Sequence, residues 1–209
     1  VLLCTFSVSP FEERTIGPVK NLPRSFSASS KGESLLMWIG TKQELYLYDQ
    51  EGERKLLISW DEPITSIAAR GEISFVSSGK ILKKINSDGD FLGRKRFSSE
   101  IIDVIYGKGI CLLTKKFLYH LSEDLNTIWR RRLARAPDTL ILYKEGLFVA
   151  GKGWIECYNL EGDLLWSFNA KEKFGELKYM WHEISLFPFP IVVKAEKIAV
   201  GFHLGDQSG

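Results

Sequence analysis

The chain consists of short apolar runs separated by clusters of turn-forming residues. From Glu44 to Phe168 the runs are about five to seven residues long, rich in Ile, Val, Leu, Phe and Tyr, and bounded by Gly, Asp, Asn and Ser. Runs of this length and composition are typical of β-strands. No segment shows a long apolar stripe with a period of 3.6 residues, so the pattern predicts an all-β protein in which helix is at most a minor component.

One turn phrase recurs four times. It reads YDQEG at Tyr48–Gly52, INSDG at Ile85–Gly89, LSEDL at Leu121–Leu125 and YNLEG at Tyr158–Gly162, with last positions 37, 36 and 37 residues apart. Asp or Asn followed by Gly is turn chemistry, because Gly takes a positive φ at little steric cost. Leu125 replaces that Gly in the third copy, so its turn is expected to differ or to carry strain. The regular spacing indicates an array of one supersecondary unit.

Each unit is predicted to contain four strands. In the second unit they are ITSIAA, ISFVSS, ILKKI and FLGRKRF, and the turn phrase joins the last two. Repeated four-stranded antiparallel units are the blades of a β-propeller. We predict a single domain over 1–209 with about five blades, and six blades or an open ring as alternatives. The repeats are clear over 33–170; residues 171–209 are expected to form an irregular last blade that closes with the N-terminal strand 1–9.

The fourth copy resembles a known family. WIECYNLEGDLLWSF at Trp154–Phe168 is similar to the blade signature of quinoprotein-like (PQQ-repeat) propellers, and Leu45–Leu57 resembles it too. Trp129 and Trp166 occupy the signature Trp position, whereas Leu56 and Gly93 replace it. The resemblance implies a non-enzymatic member of the WD40/quinoprotein-like superfamily. It does not imply the cofactor, because the dehydrogenases of that family keep a vicinal disulfide and this chain has no adjacent Cys pair.

The composition of the chain indicates in which cellular compartment the protein is expected. The chain has 44% hydrophobic residues and three cysteines, Cys4, Cys111 and Cys157. Cys111 and Cys157 fall in predicted strands and are expected to be buried, reduced thiols, which favours an intracellular, cytoplasmic protein. No apolar run approaches about 18 residues, so no membrane span or membrane partner is predicted. Few Gln beside many Lys and Glu is a bias found in thermophiles.

The sequence carries no recognisable catalytic or metal-binding motif. His120, His182 and His203 stand outside any metal-ligand spacing, and we expect His120 to be a satisfied structural residue. The GKG triplets at 107–109 and 151–153 lack the spacing of a phosphate-binding loop and are predicted to be hairpin turns. We therefore predict no catalytic residues, no metal and no cofactor. An enzyme with a site in the central channel is an alternative that would need carboxylates or histidines to converge there.

A basic segment suggests one candidate surface. From Lys80 to Arg135 the chain has thirteen Lys or Arg and six Asp or Glu. Arg94 and Arg96 align on the repeat with Arg130 and Arg132, and alternation places each pair on one face of its strand. The four arginines could bind nucleic acid or an acidic partner at the outer rim. The alternative is that they only protect edge strands from aggregation.

An aromatic segment suggests a second surface. Phe174–Val193 breaks the repeat period and contains Tyr179, Trp181, Phe187 and Phe189. If exposed, these four residues would anchor a protein partner. The alternative is that they pack inward as strands of the last blade. The prediction is a non-catalytic protein-interaction scaffold in an intracellular complex, with a nucleic-acid-associated subunit as the alternative.

Overall fold

A computed structural model describes most of the chain. It covers residues 5–9, 12–15, 23–32, 34–169, 172, 178–179, 182–183, 185–194 and 197–205. Side chains are described within 23–169, except at 31 and 33, and at 172. For the remaining described strands only the backbone is considered.

Sixteen strands form four antiparallel sheets of four strands each. Unit one consists of β3 (Ser25–Lys31), β4 (Ser34–Gly40), β5 (Glu44–Tyr48) and β6 (Arg54–Ser59). Unit two consists of β7 (Ile64–Arg70), β8 (Ile73–Ser78), β9 (Ile81–Asn86) and β10 (Phe91–Arg96). Unit three consists of β11 (Ile101–Tyr106), β12 (Ile110–Thr114), β13 (Phe117–Leu121) and β14 (Thr127–Arg132). Unit four consists of β15 (Thr139–Tyr143), β16 (Gly146–Gly151), β17 (Trp154–Tyr158) and β18 (Leu164–Asn169).

Within every unit each strand pairs with the next one in sequence, as predicted. The GKG triplets lie in the β11–β12 and β16–β17 hairpins, which confirms that prediction. Unit one begins at Ser25, earlier than the predicted start of the repeats. Its first strand, SFSASSK, was not recognised because four of its seven residues are Ser and only Phe26 and Ala28 are apolar.

In all four units the turn phrase connects the third strand to the fourth, and it forms the same backbone hydrogen bond. The amide of its last residue donates to the carbonyl of its second residue, at 3.1 Å for Gly52 and Asp49 and at 2.9 Å for Leu125 and Ser122. Leu125 therefore makes the same turn as the glycines, with a φ of 64°. This left-handed conformation costs a non-glycine residue about 1–2 kcal/mol, so the predicted strain is present.

The core lies between the sheets. One cluster joins units one and two through Trp38, Leu47 and Val76, and a second joins units two and three through Phe75, Leu112 and Leu125. A third cluster joins units three and four. Because each sheet is covered on a face by the following unit, the middle strands are apolar on both faces and almost wholly buried.

Between the first strands of neighbouring units, hydrogen bonds of side chains take the place of the backbone hydrogen bonds of a sheet. Ser25 Oγ accepts from the Ile67 amide at 2.9 Å, and Ser27 Oγ accepts from the Ala69 amide at 3.0 Å. One unit further on, Ser66 Oγ donates to Asp103 Oδ1 at 2.7 Å. Ser66 Oγ also accepts from the Val104 amide at 3.1 Å. The bonds from the Ile67, Ala69 and Val104 amides satisfy backbone groups that have no strand partner across the unit boundary.

Three two-stranded pairs complete the described structure. β1 (Thr5–Ser9) pairs with β2 (Glu12–Thr15), β19 (Lys178–Tyr179) with β20 (His182–Glu183), and β21 (Ser185–Lys194) with β22 (Lys197–Gly205). The predicted closure of the last blade by strand 1–9 remains a prediction. No helix among the described residues is long and apolar enough to cross a membrane.

Candidate interaction surfaces

The aromatic segment is described only in part. Tyr179 lies on β19, and Phe187 and Phe189 lie on β21, whose side chains are not described. Trp181 falls outside the described residues. The role of these four residues in partner binding therefore remains a prediction.

The four predicted rim arginines lie exposed on outermost strands. Arg94 and Arg96 are on β10, and Arg130 and Arg132 occupy the equivalent positions on β14. Both strands are sheet edges, since β10 pairs only with β9 and β14 only with β13. The structure thus places each pair on the rim of its unit.

The two pairs lie on corresponding faces of neighbouring sheets. Lys95 Nζ donates to the Leu125 carbonyl at 2.6 Å, so its side chain points towards unit three. Adjacent residues of a strand point to opposite faces, which places Arg94 and Arg96 on the face towards unit one. Arg131 Nε likewise donates to the Gly162 carbonyl of unit four at 2.5 Å. Arg130 and Arg132 therefore lie on the face of unit three that is directed towards unit two.

Among the described residues, no carboxylate forms an ion pair with any of these arginines. Arg131 pairs with Asp163 at 2.9 Å and Lys84 approaches Asp124 at 4.0 Å, but none of the four rim arginines forms an ion pair with a described residue. The Arg130 guanidinium lies 5.2 Å from the Phe117 ring centroid. The equivalent residues are Ser167 and Asn169 in unit four and Leu57 and Ser59 in unit one, so among these four units the basic rim is confined to units two and three.

An exposed apolar residue occupies the same position on the outer strands of units two, three and four. Leu92, Ile128 and Leu165 are 50%, 58% and 59% exposed, and each is the third residue after the last position of a turn phrase. This feature was not predicted from the sequence, although the equivalent spacing of the three residues was an available signal. The rim of units two and three thus presents a Leu or Ile followed by two alternating arginines.

The described first strands line an open cavity of about 470 Å³. It is lined by Phe26–Ala28, Ile67–Ala69, Val104–Tyr106 and Leu140–Leu142, one triplet from each unit. None of these lining residues is a histidine or a carboxylate.

A second cavity of about 580 Å³ lies between units one and two. Asp49, Glu51, Glu72 and Asp88 contribute to its lining. Asp49 is neutralised by Lys55, whose Nζ lies 2.7 Å from Asp49 Oδ2. Burial raises the pKa of Asp49, but the hydrogen bonds from Lys55 and from the Glu53 amide outweigh that effect and lower it. The Asp49 carboxylate thus stabilises its own turn, and its oxygens are engaged there and not in a ligand site.

The thiols and the histidine are structural. Cys111 and Cys157 are free and buried, as predicted. His120 is 7% exposed, but neither ring nitrogen has a hydrogen-bond partner among the described residues, so the prediction of a satisfied histidine was wrong. Its ring packs against Trp129 with centroids 5.6 Å apart. Within the described ranges no three His, Cys, Asp or Glu side chains could together hold a metal ion.

Comparison with known proteins identifies the fold. No protein-family model and no curated protein matches the chain significantly. Among solved structures, it is similar to the N-terminal domain of BBS1 in complex with ARL6, with a TM-score of 0.61 at 12% identity over 77% of this chain and 59% of that one. The Swd1 propeller domain of Myceliophteria thermophila gives a TM-score of 0.60 at 16% identity over 75% of this chain and 60% of that one. BamB from Moraxella catarrhalis gives 0.54 at 14% identity over 68% of this chain and 47% of that one.

The chain therefore spans between about half and three fifths of these structures. Their common architecture agrees with the four repeated four-stranded sheets described above, and it confirms the predicted fold class. The chain therefore has a β-propeller fold similar to that of the BBS1, Swd1 and BamB structures.

Proposed function

We propose that this chain is a non-catalytic protein-interaction scaffold, a propeller subunit of an intracellular macromolecular complex. The observation that carries the proposal is the rim, where exposed Leu92, Ile128 and Leu165 recur at equivalent positions on neighbouring units. Exposed apolar side chains on a rigid framework favour protein contacts. The BBS1 structure, whose fold is similar, is itself a complex with ARL6.

Within this proposal, Tyr179, Trp181, Phe187 and Phe189 supply aromatic anchors for the partner. Large aromatic side chains dominate the binding energy of many interfaces. The test is affinity purification of the tagged protein from its native cells, with nuclease treatment, followed by mass spectrometry. A stoichiometric protein partner that survives nuclease supports the proposal, and recovery of no protein partner contradicts it.

Two variants then locate the contact. Trp181→Ala combined with Phe189→Ala is expected to abolish partner recovery with little change of the thermal midpoint. The matched control is Leu57→Ala, which shortens a side chain that is 39% exposed on the outer strand of unit one. Loss of the partner in the control as well would show that the aromatic segment is not the specific contact.

A second candidate function is nucleic-acid binding at the basic rim. It is favoured by the four arginines on adjacent units that lack described ion pairs, although no aromatic residues are interleaved for base stacking. Binding would weaken with salt by a log–log slope of about −0.9 per phosphate contact on duplex DNA. Reversing Arg94, Arg96, Arg130 and Arg132 to Glu should abolish it. Reversing Arg24, Lys42, Arg54 and Lys80, which are also exposed, controls for the same change of net charge.

A further inference from the structure

The outer strands of units two and three have open backbone edges. Among the described strands, β10 pairs only with β9 and β14 only with β13. Such an edge carries a row of unpaired amide and carbonyl groups, which is a template for the addition of another strand. The side chains along the edge then determine which strand can be added.

The hydrogen-bond register shows which residues of β10 present their backbone groups at the open edge. The Phe97 amide donates to the carbonyl of Lys80, the residue opposite it, at 2.8 Å. In an antiparallel pair, positions that exchange such bonds alternate with positions whose N–H and C=O groups point away from the partner strand. Arg94 and Arg96 are therefore residues whose backbone groups point away from β9.

The outer strand of unit three has the same register. The Leu133 amide donates to the Lys116 carbonyl at 2.9 Å, and the pairing of Phe117 with Arg132 places these two residues opposite each other. By the same alternation, Arg130 and Arg132 present their backbone groups at the open edge of β14. The four rim arginines thus supply both the main-chain groups and the side chains of the two edges.

The positive charge of these edges has no counter-charge among the described residues. No described carboxylate forms an ion pair with a rim arginine or with Lys83. Lys83 lies directly opposite Arg94, and like charges at opposite positions of a sheet repel each other. The Lys83 ammonium lies 4.3 Å from the centroid of the Trp60 ring. A carboxylate placed beside Arg94 would relieve this repulsion.

The outer edges of units one and four have the same register without the charge. Leu57 and Ser59 occupy the corresponding positions of β6, and Ser167 and Asn169 those of β18. If the arginines served only to keep edges from aggregating, these two edges would require them equally. The restriction of the charge to two neighbouring edges favours a specific acidic ligand over general protection.

We propose that the edges of β10 and β14 bind an extended acidic segment of a partner protein by antiparallel strand addition. An acidic residue opposite Arg94 exchanges main-chain hydrogen bonds with it and places its carboxylate on the same face as the guanidinium. A second acidic residue, two positions away, does the same at Arg96. Main-chain bonds supply the affinity, and the alternating carboxylates supply the specificity.

This mode of binding rests on the proposed function, because it names the chemistry of the partner and the way in which the scaffold holds it. It adds a contact on the rim to the aromatic anchors of that proposal.

A pair of methylated peptides tests the main-chain contact. The parent probe is a fluorescent peptide of alternating Glu and Val, about ten residues long, which is enough to cover an edge strand. In the proposed register the Glu amides face the edge and the Val amides face away from it. N-methylation of the Glu amides should weaken binding at least about tenfold, because it removes the main-chain donors. N-methylation of the Val amides is the matched control and should leave binding nearly unchanged.

Substitutions in the protein test the side-chain contact. In titration calorimetry the wild type should bind one peptide at each of the two edges. Arg94→Glu combined with Arg96→Glu should remove one site, and reversing the arginines of β14 as well should remove both. Arg24→Glu combined with Lys42→Glu changes the net charge of unit one equally at exposed positions and should keep both sites. Unchanged thermal midpoints show that the variants remain folded.

Two results would overturn the strand addition. Equal binding of the two methylated peptides would show that the rim attracts charge alone. Tighter binding of a DNA duplex than of the parent peptide, lost in the same arginine variants, would assign the edges to nucleic acid. The proposed function fails by a different result, the recovery of no protein partner from native cells, which leaves the peptide measurements unaffected.

Discussion

Gly93 and Leu125 fit together across the boundary between units two and three. A Cβ atom added at Gly93 would lie 3.6 Å from Leu125 Cδ1, and the Leu125 side chain is 6% exposed. At the other two described boundaries the large residue is on the outer strand and Gly is in the turn, as with Trp129 and Gly162. Between units two and three the arrangement is inverted. The two departures from the repeat, one in each unit, therefore compensate each other.

This inversion predicts a double-mutant rescue. Gly93→Trp should destabilise the protein by about 1–3 kcal/mol, because the indole would overlap Leu125. Leu125→Gly alone should also cost stability, since it empties a buried site although it relieves the left-handed strain. The double variant should be more stable than the sum of the two effects, as measured by urea denaturation.

The matched control for that cycle is Leu56→Trp. Leu56 packs against Gly89. Because Gly89 has no side chain, a Trp at position 56 should fit there as Trp129 fits against Gly162. The control should cost less than Gly93→Trp. An equal cost at both positions, or strict additivity in the cycle, would show that Gly93 and Leu125 are not coupled.

Asp103 predicts a dependence of stability on pH. It accepts from Ser66 Oγ at 2.7 Å and from the Val104 amide at 2.9 Å. Burial raises its pKa above the ordinary 3.8 despite these bonds. A carboxyl with a raised folded-state pKa gives its full stabilisation below the unfolded-state value and loses it as pH rises through the folded-state value. The thermal midpoint of Asp103→Asn should therefore rise relative to that of the wild type as the pH increases from about 4.

Asp103→Ala distinguishes charge from hydrogen bonding. It removes the acceptor of the Leu140 amide as well as those of Ser66 and Val104, and should cost about 1–3 kcal/mol at every pH. If wild type and Asp103→Asn showed parallel pH profiles, Asp103 would not be the titrating group.

His120 predicts a stabilising substitution. Its buried ring nitrogens have no partner in the described structure, and an unsatisfied polar group costs free energy that an apolar residue avoids. His120→Leu should leave the free energy of unfolding unchanged or raise it by about 1 kcal/mol. Gly109→Ala is the contrasting change: its Cβ would lie 2.5 Å from His120 Nε2, so it should destabilise. A clear loss of stability in His120→Leu would point to a bond that the ring makes after all.

Cys111 predicts slow thiol chemistry. Burial raises its pKa to about 12, and burial also raises the pKa of Cys157. Since the thiolate is the reactive form, neither residue should be alkylated by iodoacetamide in the folded protein at pH 8. Both should react completely in guanidinium chloride, as followed by peptide mass spectrometry. Rapid alkylation of Cys111 in the native protein would contradict its burial.

Much of the fold was available from local sequence. The phrases ending at Gly52, Gly89 and Gly162 mark turns because few residues other than Gly adopt a positive φ, and alternation in the flanking runs marks strands. Leu125 could be identified as strained for the same reason. Repetition then indicated a propeller, because a single four-stranded sheet cannot bury both of its faces alone.

The tertiary structure alone decided how the units meet. In the sequence Gly93 and Leu125 are two separate irregularities, and Ser66 and Asp103 are two isolated polar residues in different strands. Their pairing depends on which faces come together across a boundary, and no local pattern encodes that choice. The same is true of the rim. The turn phrase and alternation determined that Arg94 and Arg130 share a position, but only the contacts of Lys95 and Arg131 with the next unit determined which face the arginines occupy.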